Sequence, residues 1–304
     1  MLFIPDMSRV LLFFIDGLGI GARGPFNPLD GLDCAAPLAI FQEEEPEIIF
    51  DGALVRTDAR LGVEGRPQSA SGQTTILTGI NAPAALGFHK QGFPNQALLE
   101  IIREHSIFLQ LKRLAIELNT FANAYTPRFF ESRPRWVSAT TAAVEAAGMR
   151  FRDLEDLRNG RAVYQDFTNG MLIERGLEIE TRTPEQAAET LAALAAEHRF
   201  TLYEYFITDK IGHLQDTEAA RVVLAGLARF LRATLKRLDL RRTTLILTSD
   251  HGNIENLSSR NHTLNLVPTL IWGEHRDHVA RRIRTLADIT PVIIEVLSEK
   301  ATTY

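Results

Sequence analysis

The sequence predicts an α/β fold in which helices sandwich a mostly parallel sheet. Three apolar segments each run into an acidic residue: Val10–Ile15 before Asp16, Phe200–Ile207 before Asp209, and Thr243–Leu247 before Asp250. Helical patterns lie between these segments, and such alternation is typical of parallel sheets that are covered on both faces. Sites in these folds form at the carboxyl ends of the strands, so the acidic residues mark the expected position of a site.

Two helices are marked by their own residues. Thr183 followed by Pro184 and Gln186 is a capping box with proline at the first helical position, which predicts a helix to about His198. The segment Thr217–Leu238 repeats apolar residues at helical spacing and predicts a second, amphipathic helix. Both helices would help to cover the sheet.

Length and composition restrict the class of protein. The chain has 304 residues, of which 45% are hydrophobic and 23% charged, as in soluble globular proteins. The net charge of −5 argues against a nucleic-acid partner. The single cysteine, Cys34, fits a reducing compartment, and the apolar run Val10–Ile15 is too short to span a bilayer. We therefore expect a cytoplasmic protein with no membrane partner.

The middle of the chain differs from its two ends. Residues 96–185 have mixed polarity and contain no apolar strand that ends in a carboxylate. We interpret them as a small inserted cap, and residues 1–95 and 186–304 as the catalytic core.

Six residues of metal-ligand type lie at the predicted strand ends or in the adjoining loops: Asp16, Asp209, His213, Asp250, His251 and His262. Asp209 and His213 are four residues apart, so a helix that begins there would turn both to the same side. One ion cannot use six such ligands and keep an open coordination position, whereas two ions about 3.5–4 Å apart can. The sequence therefore predicts a dinuclear metal site.

Each part of this pattern also has an ordinary interpretation. A single Asp-x-x-x-His occurs by chance, and an isolated Asp-His pair is more often a turn with a solvated imidazole. The joint occurrence at strand ends is what favours metal. The other five histidines lack such a setting, and we interpret them as surface or core residues: His89, His105, His198, His275 and His278.

A hydroxyl-rich turn before an apparent helix, Gln68–Gly79, offers candidate nucleophiles. The amides at a helix N-terminus bind phosphate, and a serine hydroxyl that contacts a metal ion is activated as a nucleophile. The alternative is a loop that merely caps a helix. Two-metal sites commonly activate a hydroxyl or water against phosphorus or sulfur.

Together these residues resemble the alkaline phosphatase superfamily, in the metalloenzyme branch that includes cofactor-independent phosphoglycerate mutase and phosphopentomutase. The resemblance rests on Asp16-Gly17, on Asp250-His251-Gly252-Asn253, on His262-Thr263 and on Asp288-Ile289-Thr290-Pro291. It implies an alkaline-phosphatase-like core with two divalent ions. The mixed nitrogen and oxygen ligands favour Mn²⁺ or Zn²⁺ over Mg²⁺.

The resemblance also implies individual roles. Asp209, His213 and His262 would hold one ion. Asp16, Asp250, His251 and the nucleophile would hold the other. Ser69 is the expected nucleophile because it lies ten residues before Gly79, an offset similar to that in the family; Ser71 and Thr74 remain rivals.

Gln73 stands where the family often has histidine or arginine, and we expect Gln73 and Lys210 to bind substrate. The leading hypothesis is a dinuclear-metal phosphohydrolase or phosphotransferase that acts on a small phosphate ester through a phosphoserine. The alternative is a phosphomutase of sugar-phosphate or phosphoglycerate type, with Arg133 and Arg135 as phosphate contacts. A catalytically silent metal-binding protein is the third hypothesis. The oligomeric state is not predicted.

Overall fold

In the computed structural model, residues 7–132 and 134–299 are described. Their strands are β1 Arg9–Ile15, β2 Ala53–Thr57, β3 Asn119–Phe121, β4 Phe200–Tyr205, β5 Thr243–Ser249 and β6 Val267–Trp272. These six strands form one sheet in the order β2-β6-β5-β1-β4-β3. The strands β3, β4, β1 and β5 run parallel to one another, while β6 pairs antiparallel with both β5 and β2. The predicted α/β fold with a mostly parallel sheet is confirmed.

Helices cover both faces of the sheet. Those of the described residues are α1 Ser69–Thr78, α2 Ala82–Leu86, α3 Gln96–His105, α4 Ile107–Arg113, α5 Pro127–Glu131, α6 Ala139–Ala146, α7 Leu154–Arg158, α8 Gly170–Glu174, α9 Pro184–Glu197, α10 Ile207–Leu214, α11 Thr217–Arg237, α12 Arg276–Arg282 and α13 Ile289–Ser298. Short 3₁₀ turns lie at Asp33–Ala35 and Leu286–Asp288.

The central strand β1 is apolar from Val10 to Ile15 because both of its faces are covered. All seven of its residues are buried. Side chains alternate between the faces of a strand, so Phe13 joins the core under α9 and α11, while Leu12 joins the core under α1, α3, α4, α6 and α13. This two-sided burial explains why β1 appears in the sequence as a continuous apolar run.

The register of β1 aligns three strand ends. Ile15 pairs with Tyr205 at the end of β4 and with Ser249 at the end of β5. The residues that follow these strands therefore begin at the same level of the sheet. This alignment positions the site.

The predicted helices are confirmed within one residue at each end. Thr183 accepts a hydrogen bond from the Gln186 amide, and the Gln186 side chain accepts one from the Thr183 amide, which completes the capping box of α9. The strand expected over Phe200–Ile207 is shorter, because α10 already begins at Ile207. This early start places Asp209 in the first turn of α10.

Part of the middle segment belongs to the sheet and its core, and the inserted cap over residues 96–185 stays a prediction. Its first half supplies β3 to the edge of the sheet, and α3, α4 and α6 to the same core as β1. A smaller apolar cluster, which includes Leu157 and Tyr164, lies in the following part of the segment. A three-residue strand is too short to produce a recognisable pattern, which is why the sequence did not reveal β3. The boundaries at residues 96 and 185 stay a prediction.

The described part of the chain contains no helix that is long and apolar enough to cross a bilayer. Cys34 is exposed. The cytoplasmic location stays a prediction.

Two helical glycines differ in the space around them. A Cβ on Gly72 in α1 would lie 3.0 Å from both Cβ and the carbonyl oxygen of Asp250, whereas the nearest atom to a Cβ on Gly226 in α11 is Phe167 Cζ at 3.6 Å. Alanine is favoured over glycine in a helix by about 1 kcal/mol. We expect Gly226→Ala to raise the free energy of unfolding by up to that amount, and Gly72→Ala to lower it because α1 must move off Asp250. Denaturant titration of both variants checks the contrast; equal stabilisation by both would contradict it.

Candidate metal centre

Two buried carboxylates meet where β1 and β5 end. The side-chain amide of Gln73, in α1, donates to Asp16 Oδ2 at 3.0 Å and to Asp250 Oδ2 at 3.2 Å. His251 Nε2 lies 3.2 Å from Asp16 Oδ1 and 3.6 Å from Asp250 Oδ2. Asp16, Asp250 and His251 are all buried, and each offers a ligand atom within 4.8 Å of the others. We call these three residues the first ligand group.

A second ligand group consists of Asp209, His251 and His262. His262 Nε2 lies 3.4 Å from Asp209 Oδ1, and the rings of His251 and His262 stack with their centroids 3.6 Å apart. His251 therefore belongs to both groups. The resemblance assigned His251 to the ion held by Asp16, Asp250 and the nucleophile, whereas in the fold it belongs to both ligand groups.

His213 joins the second ligand group from its exposed side. It lies one turn after Asp209 in α10, and its Nε2 is 3.3 Å from Asp209 Oδ2 and 3.3 Å from His262 Nε2. The helix thus turns both side chains to one side, as their spacing predicted. The side chain of His213 is 44% exposed, so this end of the centre faces solvent.

Backbone carbonyls orient two of the imidazoles. His213 Nδ1 lies 2.7 Å from the carbonyl of Arg260, and His262 Nδ1 lies 3.0 Å from the carbonyl of Pro67. A carbonyl oxygen can accept a hydrogen bond but cannot donate one, so the Nδ1 that faces it carries the hydrogen. In a neutral ring Nε2 then carries the lone pair. The two Nε2 lone pairs then face each other across 3.3 Å. A cation between them satisfies this arrangement, which is the one found in metal sites whose histidines are oriented by a second hydrogen bond.

The carboxylates also fit a cation. Among the described residues, the buried Asp16 Oδ1 has no polar neighbour within hydrogen-bonding distance other than His251 Nε2 at 3.2 Å. Burial and the neighbouring Asp16 raise the pKa of Asp250 well above its usual range. Burial opposes a charge on His251, but Asp250 and Asp16 outweigh it and raise the pKa of His251 to about 10. The protein thus concentrates negative charge here that a bound cation would neutralise.

Asp209 differs from Asp250 in its partners. Burial opposes its ionisation, but the neighbouring imidazoles of His262 and His251 lower its pKa. The side-chain amide of Asn253 also donates to Asp209 Oδ1 at 2.6 Å. Asp209 is therefore held as a carboxylate by the side chains around it.

Ser69 is the candidate nucleophile whose hydroxyl faces the centre. It is the first residue of α1, and its Oγ lies 2.9 Å from His251 Nε2. Its two rivals use their hydroxyls locally: Ser71 Oγ accepts from the amide of Lys90 at 3.0 Å, and Thr74 Oγ1 donates to the carbonyl of Ala70 at 2.6 Å. The geometry favours Ser69 over both.

Glycine at position 17 allows the two halves of the centre to approach. Gly17 has φ +79°, and a Cβ there would lie 2.9 Å from Asp209 Cα. The residue after Asp16 therefore has to be one without a side chain, because α10 crosses directly above it.

The cavity beside the centre has a volume of about 450 Å³, and we call it the site cavity. Asp16, Ser69 and Asp209 line it, as do Gln73 and Lys210, the two predicted substrate contacts. Gln73 is buried and already holds two carboxylates, whereas Lys210 is exposed. Arg133 lies outside the described residues, and Arg135 lies over the ring of Trp136 at 5.1 Å without lining the cavity.

Sequence reasoning missed two buried glutamates. Glu204 lines the site cavity from β4, and burial together with Asp16 raises its pKa to about 8. The available signal was a glutamate inside an otherwise apolar strand.

Glu255 connects the loops around the centre by hydrogen bonds. Its carboxylate accepts from the amides of Gly19 and Asn253 at 2.9 and 2.7 Å. It also accepts from Thr263 Oγ1 at 2.5 Å and Asn265 Nδ2 at 2.9 Å. These bonds fix the loop that carries His262 against the turn after β1. A lone glutamate in a loop gives no sequence signal for this role.

Comparison with known proteins identifies relatives of this chain. Residues 153–301 match the family model described as the metalloenzyme superfamily. The chain is 30% identical over 126 residues to the 2,3-bisphosphoglycerate-independent phosphoglycerate mutase of Dinoroseobacter shibae, which covers 38% of this chain and 25% of that protein. The enzyme of the same name from Wolbachia pipientis is 35% identical over 115 residues, covering 34% and 22%. The matched segment thus spans about a quarter of these relatives.

Solved structures share the fold at low identity. The cold-active alkaline phosphatase of Shewanella sp. superimposes with a TM-score of 0.51 at 11% identity, covering 96% of this chain and 100% of that one. The PH0037 protein of Pyrococcus horikoshii gives a TM-score of 0.51 at 13% identity, covering 98% and 100%. These likenesses support an alkaline-phosphatase-like architecture.

The raised pKa of Glu204 makes stability depend on pH. The folded, metal-free protein holds this proton up to about pH 8, whereas the ordinary value is 4.5, so ionisation destabilises the fold increasingly across this interval. Glu204→Gln removes the ionisable group. We expect the free energy of unfolding of the variant, relative to that of the parent, to rise by a few kcal/mol between about pH 5 and about pH 8. The melting temperatures of both proteins, recorded at the two pH values with chelator present, check the difference.

The matched control for this measurement is Glu189→Gln, an exposed position in α9. A surface substitution of this kind changes stability little. A Glu204→Gln effect of equal size at both pH values would show that the carboxyl is not the cause.

Proposed function

We propose that this chain, a member of the metalloenzyme superfamily, is a two-metal phosphohydrolase or phosphotransferase that acts on a phosphate ester through Ser69. The observation that carries the proposal is the position of Ser69 Oγ, 2.9 Å from the imidazole that both ligand groups share. The hydroxyl also lines the site cavity, so an ester bound there would meet it directly.

The two ligand groups support two divalent ions, and the nitrogen and oxygen donors suit Mn²⁺ or Zn²⁺. Asp16, Asp250 and His251 would hold one ion, and Asp209, His213 and His262 the other, with His251 placed next to both. When bound, the ions supply Lewis acidity that stabilises the serine alkoxide and the charge on the phosphate oxygens.

Protein groups position the reaction. Ser69 stands at the N-terminus of the ten-residue helix α1, where free amides favour an anion. Ser69 Oγ gives up its proton and forms a bond to phosphorus, the ester P–O bond breaks, and the leaving oxygen takes up a proton, so that no net proton is gained or lost. Water then hydrolyses the phosphoserine and releases inorganic phosphate. Positioning and charge stabilisation dominate such transfers.

A phosphomutase is the second candidate, favoured by the names of the matched relatives. In that reaction the phosphoserine returns its phosphate to another hydroxyl of the same substrate, which requires exclusion of water. Comparison of phosphate release with isomer formation on sugar phosphates and phosphoglycerates distinguishes the two.

The role of Ser69 is tested by Ser69→Ala, with Ser71→Ala as the matched control. We expect Ser69→Ala to lose at least about a thousandfold in kcat on p-nitrophenyl phosphate, because no nucleophile remains, and to retain bound metal. Ser71→Ala loses only local hydrogen bonds and should retain most of the activity. The measurement is steady-state kinetics with metal analysis of each variant, and full activity of Ser69→Ala would exclude the assignment.

Metal dependence is tested by dialysis against chelator. We expect activity to disappear, and to return when Mn²⁺ or Zn²⁺ is added, with two ions per chain by elemental analysis. The melting temperature should fall on metal removal, because the buried carboxylates lose their counter-charge. Hydrolysis that survives complete removal would contradict the two-metal mechanism. Two bound ions without hydrolysis of monoesters, diesters or sulfate esters would favour the silent metal-binding protein.

A further inference from the structure

The part of the site cavity beyond the metal centre has aromatic walls. Five rings line it: Phe93, Phe121, Tyr125, Tyr164 and Phe206. Rings of this kind offer broad apolar faces to a ligand and gain most from another flat group. The walls therefore favour an apolar body on the substrate.

The hydroxyl groups in these walls already bond to one another. Tyr125 Oη lies 2.7 Å from Thr141 Oγ1, which in turn lies 2.9 Å from Ser138 Oγ. Ser138 Oγ also accepts from the Thr141 amide at 3.1 Å. Such a chain leaves little hydrogen-bonding capacity toward the cavity, so sugar hydroxyls would lose water without gaining partners.

The side-chain amide of Asn123, which also lines the cavity, is hydrogen-bonded as well. Asn123 Nδ2 donates to the carbonyl of Glu204 at 2.8 Å, and its Oδ1 accepts from the Glu204 amide at 2.9 Å. Arg175 Nη1 donates to Tyr164 Oη at 3.3 Å. Asn123 thus joins its strand end to β4, and the Tyr164 hydroxyl also has a partner.

The aromatic wall is held rigidly by its neighbours. The ring of Tyr125 packs against Phe129 at 4.4 Å and Phe151 at 4.7 Å between centroids. Phe93, by contrast, lies in the loop between α2 and α3 and is 50% exposed. The packed Tyr125 ring and the exposed Phe93 ring line the same cavity, where a flat group could contact both.

We propose that the substrate is a phosphate ester whose alcohol carries an aromatic or similarly flat apolar ring, and that this ring is bound between Phe93 and the Tyr125 wall. The inference rests on the proposed function for the placement of the phosphate at Ser69. It disfavours polyhydroxylated sugar phosphates as preferred substrates, because the hydroxyls of Tyr125 and Tyr164 and the side-chain amide of Asn123 already have partners.

Turnover tests the inference with benzyl phosphate and glycerol 3-phosphate, two esters of alcohols of similar acidity. We expect kcat/KM for benzyl phosphate to exceed that for glycerol 3-phosphate by about tenfold or more, because the protein buries the apolar ring. Equal or lower kcat/KM for benzyl phosphate would overturn the inference while leaving the proposed function intact.

Binding tests it independently of turnover. We expect the metal-loaded protein to bind benzylphosphonate about tenfold more tightly than methylphosphonate in calorimetry, because the two probes differ only by the ring. This comparison decides the inference even if neither ester is hydrolysed, an outcome that would count against the proposed function alone. Equal affinities would overturn the ring subsite.

The matched variants are Phe93→Ala and Phe88→Ala. Both residues are exposed phenylalanines of the same region, 50% and 48% exposed, but only Phe93 lines the cavity. We expect Phe93→Ala to raise KM for benzyl phosphate and reduce the preference over glycerol 3-phosphate several-fold. Phe88→Ala should leave the preference unchanged. A preference equally insensitive to both substitutions would exclude Phe93 from the subsite.

Discussion

Concentrated negative charge at the carboxyl end of the sheet is the constraint on which the rest of this structure depends. Asp16 and Asp250 share one amide donor, and the imidazole of His251 lies 3.2 Å from the other oxygen of Asp16. Two like charges about 4 Å apart repel by roughly 4 kcal/mol at the effective dielectric of partly buried sites. A fold retains such a pair where a cation compensates it, which is why the centre is best understood as a metal site.

The surrounding fold brings these charges together. Parallel pairing aligns the ends of β1, β4 and β5, and the glycine after Asp16 lets α10 cross close enough to add Asp209. Carbonyls of two separate loops then orient the imidazoles of His213 and His262. Glu255 ties the loop of His262 to the turn after β1. The centre is therefore rigid before any ion binds, and preorganisation of this kind favours catalysis by charge stabilisation.

The site cavity combines two environments that serve different parts of a substrate. Near Ser69 it is lined by carboxylates that suit cations, and farther out by rings whose hydroxyls already have partners. The charged end would act on the phosphate that reacts, while the apolar end would act on the alcohol that leaves. Under the two proposals, the metal centre would carry out the phosphoryl transfer, and the rings of the cavity would select the alcohol.

The sequence by itself determined the fold class, the helices α9 and α11, and the residues that meet at the centre. These features follow from local patterns: apolar runs that end in acids, a capping box, and an Asp-x-x-x-His on one turn. Only the tertiary structure decided that His251 lies between both ligand groups, that Ser69 rather than Ser71 or Thr74 faces the centre, and that Glu204 lines the cavity. It also placed β3 and its neighbouring helices in the sheet and the main core. These outcomes depend on contacts between residues far apart in the chain, and no local pattern encodes which distant partner a side chain meets.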